Sequence, residues 1–341
     1  MDDLEFGKRD KRGDWAPAAR IEVAPLFAAP LNALRLIKWL PHYFLPWNLL
    51  FAASAVVYWL AVVPPIATLR TLDARWPLWL LGVNCVATLA FYSALELRLY
   101  RQRAQSQRFK YNGKFPADHP NGAFWFRSQN KEGIIRTFTS ALPIWTAIEV
   151  GLLWAYANGV GHWVDFSDHP IWLFALALVA PIWHETHFFL IHRLIHWPPL
   201  YRRVHSVHHN SVNPSPWSSL SMHPVEHLLY FSSALAHLLI PSNPLLAIYQ
   251  LHYSGFGAVV GHIGFDKIEV GDAAAFDSHA YAHYLHHKYF EVNYGDGLVP
   301  LDRLFGTWHD GTPEAEAQMD ARFEQRRARA NTRAGERIPR P

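Results

Sequence analysis

Apolar and polar positions along this chain separate into long blocks rather than alternating. Residues 47–63 are almost wholly apolar and stop at Pro64-Pro65; residues 77–97 form a second such block, residues 138–157 a third, and a fourth begins near Ile171. A helix needs roughly 17–25 apolar residues to cross a bilayer, so four spanning helices are predicted. Residues 22–46 mix apolar positions with Arg35, Lys38 and His42 and are broken by Pro25, Pro30, Pro41 and Pro46. That pattern predicts a segment approaching the membrane along its surface. Residues 228–240 and 245–260 are shorter apolar runs split by Pro241 and Pro244; they read either as a re-entrant hairpin or as two further spans.

The polar blocks divide the chain. Residues 1–20 are charged, lack an apolar core and read as a disordered cytoplasmic tail with no signal peptide. Residues 21–137 hold the interfacial segment, two spans and a basic loop; 138–310 read as the catalytic region; 311–341 are a charged tail. Within that tail 314–333 is predicted as a solvated helix, with the last residues disordered. The stretch 98–136 carries Arg98, Arg101, Arg103, Arg108, Lys110, Lys114, Arg127, Lys131 and Arg136, whereas 158–170 has no lysine or arginine. Basic residues collect on the cytoplasmic side, which puts the N-terminus, this loop and the end of the fourth span there. Aromatics in the basic stretch admit a nucleic-acid reading, but its place between spans favours a membrane-flanking loop and no nucleic-acid partner.

Composition supports a membrane protein. Only 17% of the 341 residues are charged, against about a quarter in soluble domains. The mean hydropathy of −0.04 is low because polar residues gather at the ends and in one histidine-rich region; a soluble protein with buried helices is the plainer alternative. A single cysteine, Cys85, excludes an intrachain disulfide and a cysteine-built zinc or iron–sulfur site.

Sixteen of the 21 histidines fall between His184 and His287. His192 and His196, then His205, His208 and His209, then His283, His286 and His287 lie three or four residues apart, with His279 one turn upstream. On a helix such residues share a face. Clustered imidazoles repel if protonated and are costly to bury; coordination of a metal holds them neutral. The clusters supply enough donors for two ions. Isolated histidines such as His42, His119, His162, His169 and His309 are read as ordinary hydrogen-bonded side chains, as are His184, His187, His237 and His252.

The order of these boxes resembles the fatty acid hydroxylase superfamily, which includes sterol desaturases and other membrane-bound di-iron hydroxylases. Tyr201-Arg-Arg-Val-His205-Ser-Val-His208-His209, His223-Pro-Val-Glu226, His262-Ile-Gly, Asn293-Tyr-Gly295 and 301–307 look like further elements of that family. The resemblance runs over about 181–308. It implies two iron ions, dioxygen as co-substrate, oxidation of an unactivated C–H bond in a lipid, and electrons from a separate donor of ferredoxin or cytochrome b5 type with its reductase. It makes His192, His196, His205, His208, His209, His262, His283, His286 and His287 the expected ligands. His223 and His279 are possible ligands or supporting groups. Asp266 stands where some members carry a second histidine, and Glu226, Glu185 and Asp302 are candidate hydrogen-bond acceptors for ligand imidazoles. His227 is read as a supporting group or as packing.

These readings combine into an all-α integral membrane helical bundle with at least four transmembrane helices and a cytoplasmic histidine-rich helical cap. Its expected activity is hydroxylation or desaturation of a sterol-like, fatty-acyl or carotenoid lipid, which would reach the site from the bilayer. The basic loop is a candidate dock for an acidic donor, or simply a surface facing lipid headgroups. Two rivals remain: a metal-dependent membrane hydrolase, which needs no reductant, and a non-catalytic metal carrier, which would string ligands along a path through the spans.

Overall fold

The computed structural model describes residues 1–116, 119–271 and 274–336. Helices dominate it. We label α1 Ala33–Phe44, α2 Trp47–Ala61, α3 Arg75–Arg101, α4 Gln129–Ala157, α5 Pro170–Ile195, α6 Pro224–Phe231, α7 Pro244–Gly261, α8 Tyr281–Tyr289 and α9 Pro313–Glu336. Three of these, α3, α4 and α5, are long and apolar enough to cross a membrane; α1 and α2 together, bent by 49°, make a fourth if taken as one span. The 15 residues of α2 fall short of a crossing by themselves, so the first expected span is completed only with α1. None of the residues of α1 is buried, and Leu34, Ile37 and Leu40 are exposed. The last five residues, expected to be disordered, lie outside the described residues.

The two undecided apolar runs have different fates. The first is only α6 followed by a 3-10 stretch, Ser232–Leu238. Pro241 and Pro244 then stop and restart the chain, with the Asn243 side chain accepting from Leu245 N at 3.0 Å as the N-cap of α7. Most of α7 is buried, and it packs against α2, α4 and α5. At Gly255 a Cβ would fall 2.0 Å from the Trp145 ring, so the close approach of α7 to α4 requires glycine there.

A second core lies beyond the helical ends, at the pole where α3 finishes, α4 begins and α5 finishes. It joins Leu99, Tyr100, Phe109 and Tyr111 from the basic stretch to Ile263, Phe265, Ile268, Tyr281, Tyr284 and Leu285. The N-terminus, expected to be disordered, is built into it. Strands β1 Gly7–Arg9 and β2 Trp15–Pro17 pair antiparallel. Trp15 is 1% exposed and stands edge-on to Phe109 at 5.5 Å, while its backbone N donates to Tyr111 O at 3.0 Å. One tryptophan in an otherwise charged segment supplies the apolar burial that holds it. A second hairpin, β3 Lys267–Val270 with β4 Ala274–Asp277, follows α7.

Candidate metal centre

Four pieces of chain converge at this pole. The last turns of α5 carry His192 and His196. Pro198 and Pro199 cannot extend the helix, and the chain turns into a π turn, Tyr201–His205, and one helical turn, Ser206–His209. The C-terminus of α7 is capped by His262, and α8 carries His283, His286 and His287. α8 ends at Phe290, whose φ of +67° is rare for a residue with a side chain; its N–H donates to His286 O at 2.7 Å, and its ring packs on His209 at 4.8 Å.

All nine histidines meet, in two groups. His192, His196, His205, His209 and His286 form one; His208, His262, His283 and His287 form the other, and within each group the donor nitrogens lie within 4.8 Å of one another. Each HxxHH box divides between the groups. His205 and His209, one turn apart, serve the first group and His208 the second; His283 and His287 serve the second and His286 the first. Helical geometry explains the division, because residues i and i+4 point nearly together whereas i+3 is turned to their other side.

The hydrogen bonds fix what these rings present. The Nδ1 of His192 donates to Tyr294 O at 2.7 Å, that of His286 to Val292 O at 2.7 Å and that of His262 to Ala258 O at 2.9 Å. A carbonyl only accepts, so these rings carry their proton on Nδ1 and aim a lone pair from Nε2. Yet the Nε2 atoms face one another: His192 and His205 at 3.0 Å, His286 and His209 at 3.1 Å, His262 and His283 at 3.0 Å, and His262 and His208 at 3.1 Å. For His192 and His205, whose Nδ1 atoms are both engaged elsewhere, the converging lone pairs repel unless a cation lies between them. The donor set therefore fits one metal ion per group, and all-imidazole donors suit a first-row transition metal.

Protonation does not offer another solution. Burial, reinforced by the neighbouring imidazoles, holds His205, His208, His209, His286 and His287 well below the usual histidine range. The same causes bring His262 to about 3; burial, with His192 and Arg193 nearby, brings His196 to about 2. Beyond the His205 ring, Glu226 Oε1 lies 2.7 Å from Nδ1. Burial pushes the Glu226 carboxyl well above its ordinary range; a metal ion held by His205 would be a local positive charge opposing this.

The remaining expected residues fall outside both groups. The His223 ring instead caps α6, Nδ1 accepting from Val225 N at 3.2 Å. Asp266 accepts from the Tyr111 hydroxyl at 2.9 Å. His279, at a φ of +58°, stands in a cavity wall. His227 is packed between Ser140 and Leu220 O. Glu185 and Asp302 do not reach imidazoles: Glu185 accepts from the backbone N–H groups of Gly297, Leu298 and Val299, and Asp302 from those of Tyr294 and Gly295. They hold the chain segment whose Tyr294 carbonyl orients His192. Asp296, in the same segment and not singled out from the sequence, places Oδ1 3.3 Å from His283 Nδ1. Its position directly after Asn293-Tyr-Gly295 was the available signal.

A cavity of about 520 Å³ opens beside both groups. His192, His205, His208, His262 and His283 line its metal end, and Phe51, Phe188, Met222, Tyr230, Tyr253 and Val260 its walls. Pro17 to Ala24 and α1 close one side.

A helical membrane protein with two groups of histidines able to hold metal ions at one end of a mostly apolar cavity is the class this architecture defines. Residues 177–307 match the family model described as fatty acid hydroxylase, so this part of the chain is similar to that family. It is 30% identical over 156 residues to the Delta(7)-sterol 5(6)-desaturase ERG3B of Gibberella zeae, covering 44% of this chain and 46% of the relative. It is 26% identical over 205 residues to the Delta(7)-sterol 5(6)-desaturase of Candida glabrata, covering 57% and 55%. With the ERG3 desaturase of Saccharomyces cerevisiae the identity is 27% over 179 residues, covering 51% and 48%. The chain thus spans about half the length of the curated relatives it matches. No solved structure matches it.

Proposed function

We propose that this chain is a membrane-bound oxygenase that hydroxylates or desaturates a lipid, using dioxygen and electrons from a separate donor protein. One observation carries the reading: two groups of imidazoles turn their Nε2 atoms inward beside a cavity with apolar walls. His192, His196, His205, His209 and His286 would hold one iron and His208, His262, His283 and His287 the other. When bound, such an iron pair supplies the redox chemistry that activates dioxygen against a C–H bond.

The protein's own part is to bind, orient and exclude water. Nδ1 donation to backbone carbonyls fixes three rings, and Glu226 fixes a fourth. Phe188, Tyr230 and Tyr253 give the reacting carbon an apolar approach. The exposed apolar side of α1, next to the cavity, offers a lipid an entrance from the bilayer. The names of the relatives favour a sterol-like substrate over a fatty-acyl or carotenoid one. The positive-inside rule supports a cytoplasmic site, because the basic stretch 98–136 shares its pole.

The test is turnover of iron-loaded protein with a chemical reductant and a total lipid extract, with and without dioxygen. Gain of one oxygen or loss of two hydrogens in a lipid, only when dioxygen is present, is the expected result. Dioxygen-independent turnover would establish the hydrolase rival, and metal uptake into vesicles without a lipid product the carrier.

A further inference from the structure

Eight of the nine clustered histidines are buried; His196 alone is half-exposed. Two tyrosines bracket it. Tyr201 packs at 5.4 Å from the His196 ring and 5.7 Å from that of His209. Tyr294 packs at 4.9 Å from His196, 5.7 Å from His192 and 5.4 Å from His286. Each tyrosine is bordered by arginine. The Arg193 guanidinium lies over the Tyr294 ring at 5.1 Å, Arg202 and Arg203 follow Tyr201, and Arg303 follows the Asp302 that holds Tyr294. All four arginines are exposed, and among the described residues none forms an ion pair. Near Tyr294, Glu291 is already taken by Arg322 and Arg326.

The basic stretch 98–136 is different. Arg98 donates to Glu269 O, Arg108 pairs with Glu269, Arg101 with Glu96 and Arg136 with Glu132, and Lys110 is buried. Its cations are largely engaged by the fold. Four exposed arginines without ion pairs among the described residues sit around His196, the one clustered histidine that is not buried.

We propose that the face formed by Arg193, Arg202, Arg203 and Arg303 around His196 is the docking surface for an acidic one-electron carrier protein. The inference rests on the oxygenase reading. Reducing one dioxygen takes four electrons, of which the oxidised lipid supplies two; the other two are matched by two protons from water. Two successive encounters at this face supply those other two electrons, each carrier molecule losing one electron. The π-rings of Tyr201 and Tyr294 and the His196 imidazole form the short packed route inward. Free arginines steer an acidic partner and set its register, and exposed Trp197 and Phe305 supply the apolar contact that charge alone lacks.

The test uses the full chain in nanodiscs of neutral lipid and an acidic plant-type ferredoxin as probe. Binding is expected to weaken steeply with salt. Arg202→Glu with Arg203→Glu is expected to lower affinity at least tenfold, with the milder Arg202→Gln and Arg203→Gln pair intermediate. Lys131→Glu, an exposed reversal in the basic stretch, is expected to leave it unchanged, and metal content is expected to be equal in all of them. Equal ferredoxin affinity in the wild type and the double reversal would overturn the proposal. So would loss of binding to anionic vesicles with ferredoxin affinity retained, which would assign the face to lipid headgroups. Lipid oxidation driven by a chemical reductant reports separately on the oxygenase reading, since it bypasses this face.

Discussion

His205 and Glu226 meet at 2.7 Å between Nδ1 and Oε1, both buried, with the opposite nitrogen of the same ring aimed at His192 Nε2. The carboxylate fixes the tautomer of His205 and makes its donor nitrogen more basic. Glu226→Gln keeps the shape and removes the charge. Removing such a supporting group costs about 10–100-fold in metal affinity. Iron titration of the purified variant is expected to show that loss while its thermal unfolding in excess metal stays near wild type.

Because each HxxHH box serves both groups, single ligand substitutions separate the two sites. His286→Ala removes a donor from the five-histidine group and leaves the second group's four intact; His208→Ala does the reverse. Each variant is expected to lose lipid oxidation and to retain about one iron per chain instead of two. The four-histidine site, with no donor to spare, is expected to empty more readily than the other. Quantitative metal analysis checks both statements, and full activity in either variant would remove that histidine from the site.

Much of this centre was legible in the chain because the chemistry is written in local spacing. A spacing of four between histidines fixes a shared helical face whatever the surrounding fold, whereas the i+3 rings of His208 and His286 turn to the other group, and His262, outside any local box, joins them only through the fold. What local spacing does not carry is the partner across the fold. Glu226 and Glu185 look alike in sequence, yet one bonds an imidazole and the other three backbone N–H groups 112 to 114 residues away. Asp296 lies beside His283 only because the segment after α8 folds back. The spans were legible for the same reason as the boxes, since apolar length is a local property. The N-terminal hairpin was not: its order depends on Trp15 finding Phe109 and Tyr111, nearly 100 residues on.

That dependence can be measured. Trp15→Ala removes a wholly buried side chain, a change worth about 3–5 kcal/mol in a packed core. Here the loss falls on a hairpin that can detach without unfolding the membrane helices. Trypsin cleavage at Lys8, Arg9, Lys11 and Arg12 is expected to accelerate at least about 100-fold, following the population of the detached state, while bound metal stays unchanged. Because Pro17 to Ala24 also wall the cavity, the apparent KM for the lipid is expected to rise in the same variant.

Acid acts on the metal centre in a defined direction. Burial and neighbouring imidazoles bring His196 and His262 to about 2 and 3, and five further histidines of the two groups are also lowered, against about 6.5 in the unfolded chain. As pH falls below about 6.5 the unfolded chain takes up protons that the folded chain refuses, so stability falls with pH. Bound metal opposes this, because it binds only the folded, neutral rings. The acid midpoint of unfolding is expected to lie lower with iron than with chelator, and that gap is expected to shrink in His286→Ala.

Lys110 provides the opposite end of the pH scale. It is fully buried beneath the rings of Tyr100, Phe115 and Phe265 at 5.2–5.5 Å, and its ammonium donates to Asn112 O at 2.9 Å and, more weakly, to Asn213 Oδ1 at 3.4 Å, with no carboxylate pairing it among the described residues. Burial brings it down to about 7, against 10.5 for a free lysine. Between those values the unfolded chain holds a proton that the folded chain has shed, so this residue makes stability rise with pH from about 7 upward. Lys110→Met removes that rise while keeping the volume against the three rings. Thermal unfolding in detergent at pH 7 and pH 9 is expected to show the wild type gaining stability over the interval and the variant gaining less. At pH 7 the variant is expected to be at least as stable, because the cost of burying an ammonium is gone. A variant less stable than wild type at both pH values, with the same slope, would mean that the hydrogen bond to Asn112 outweighs that cost.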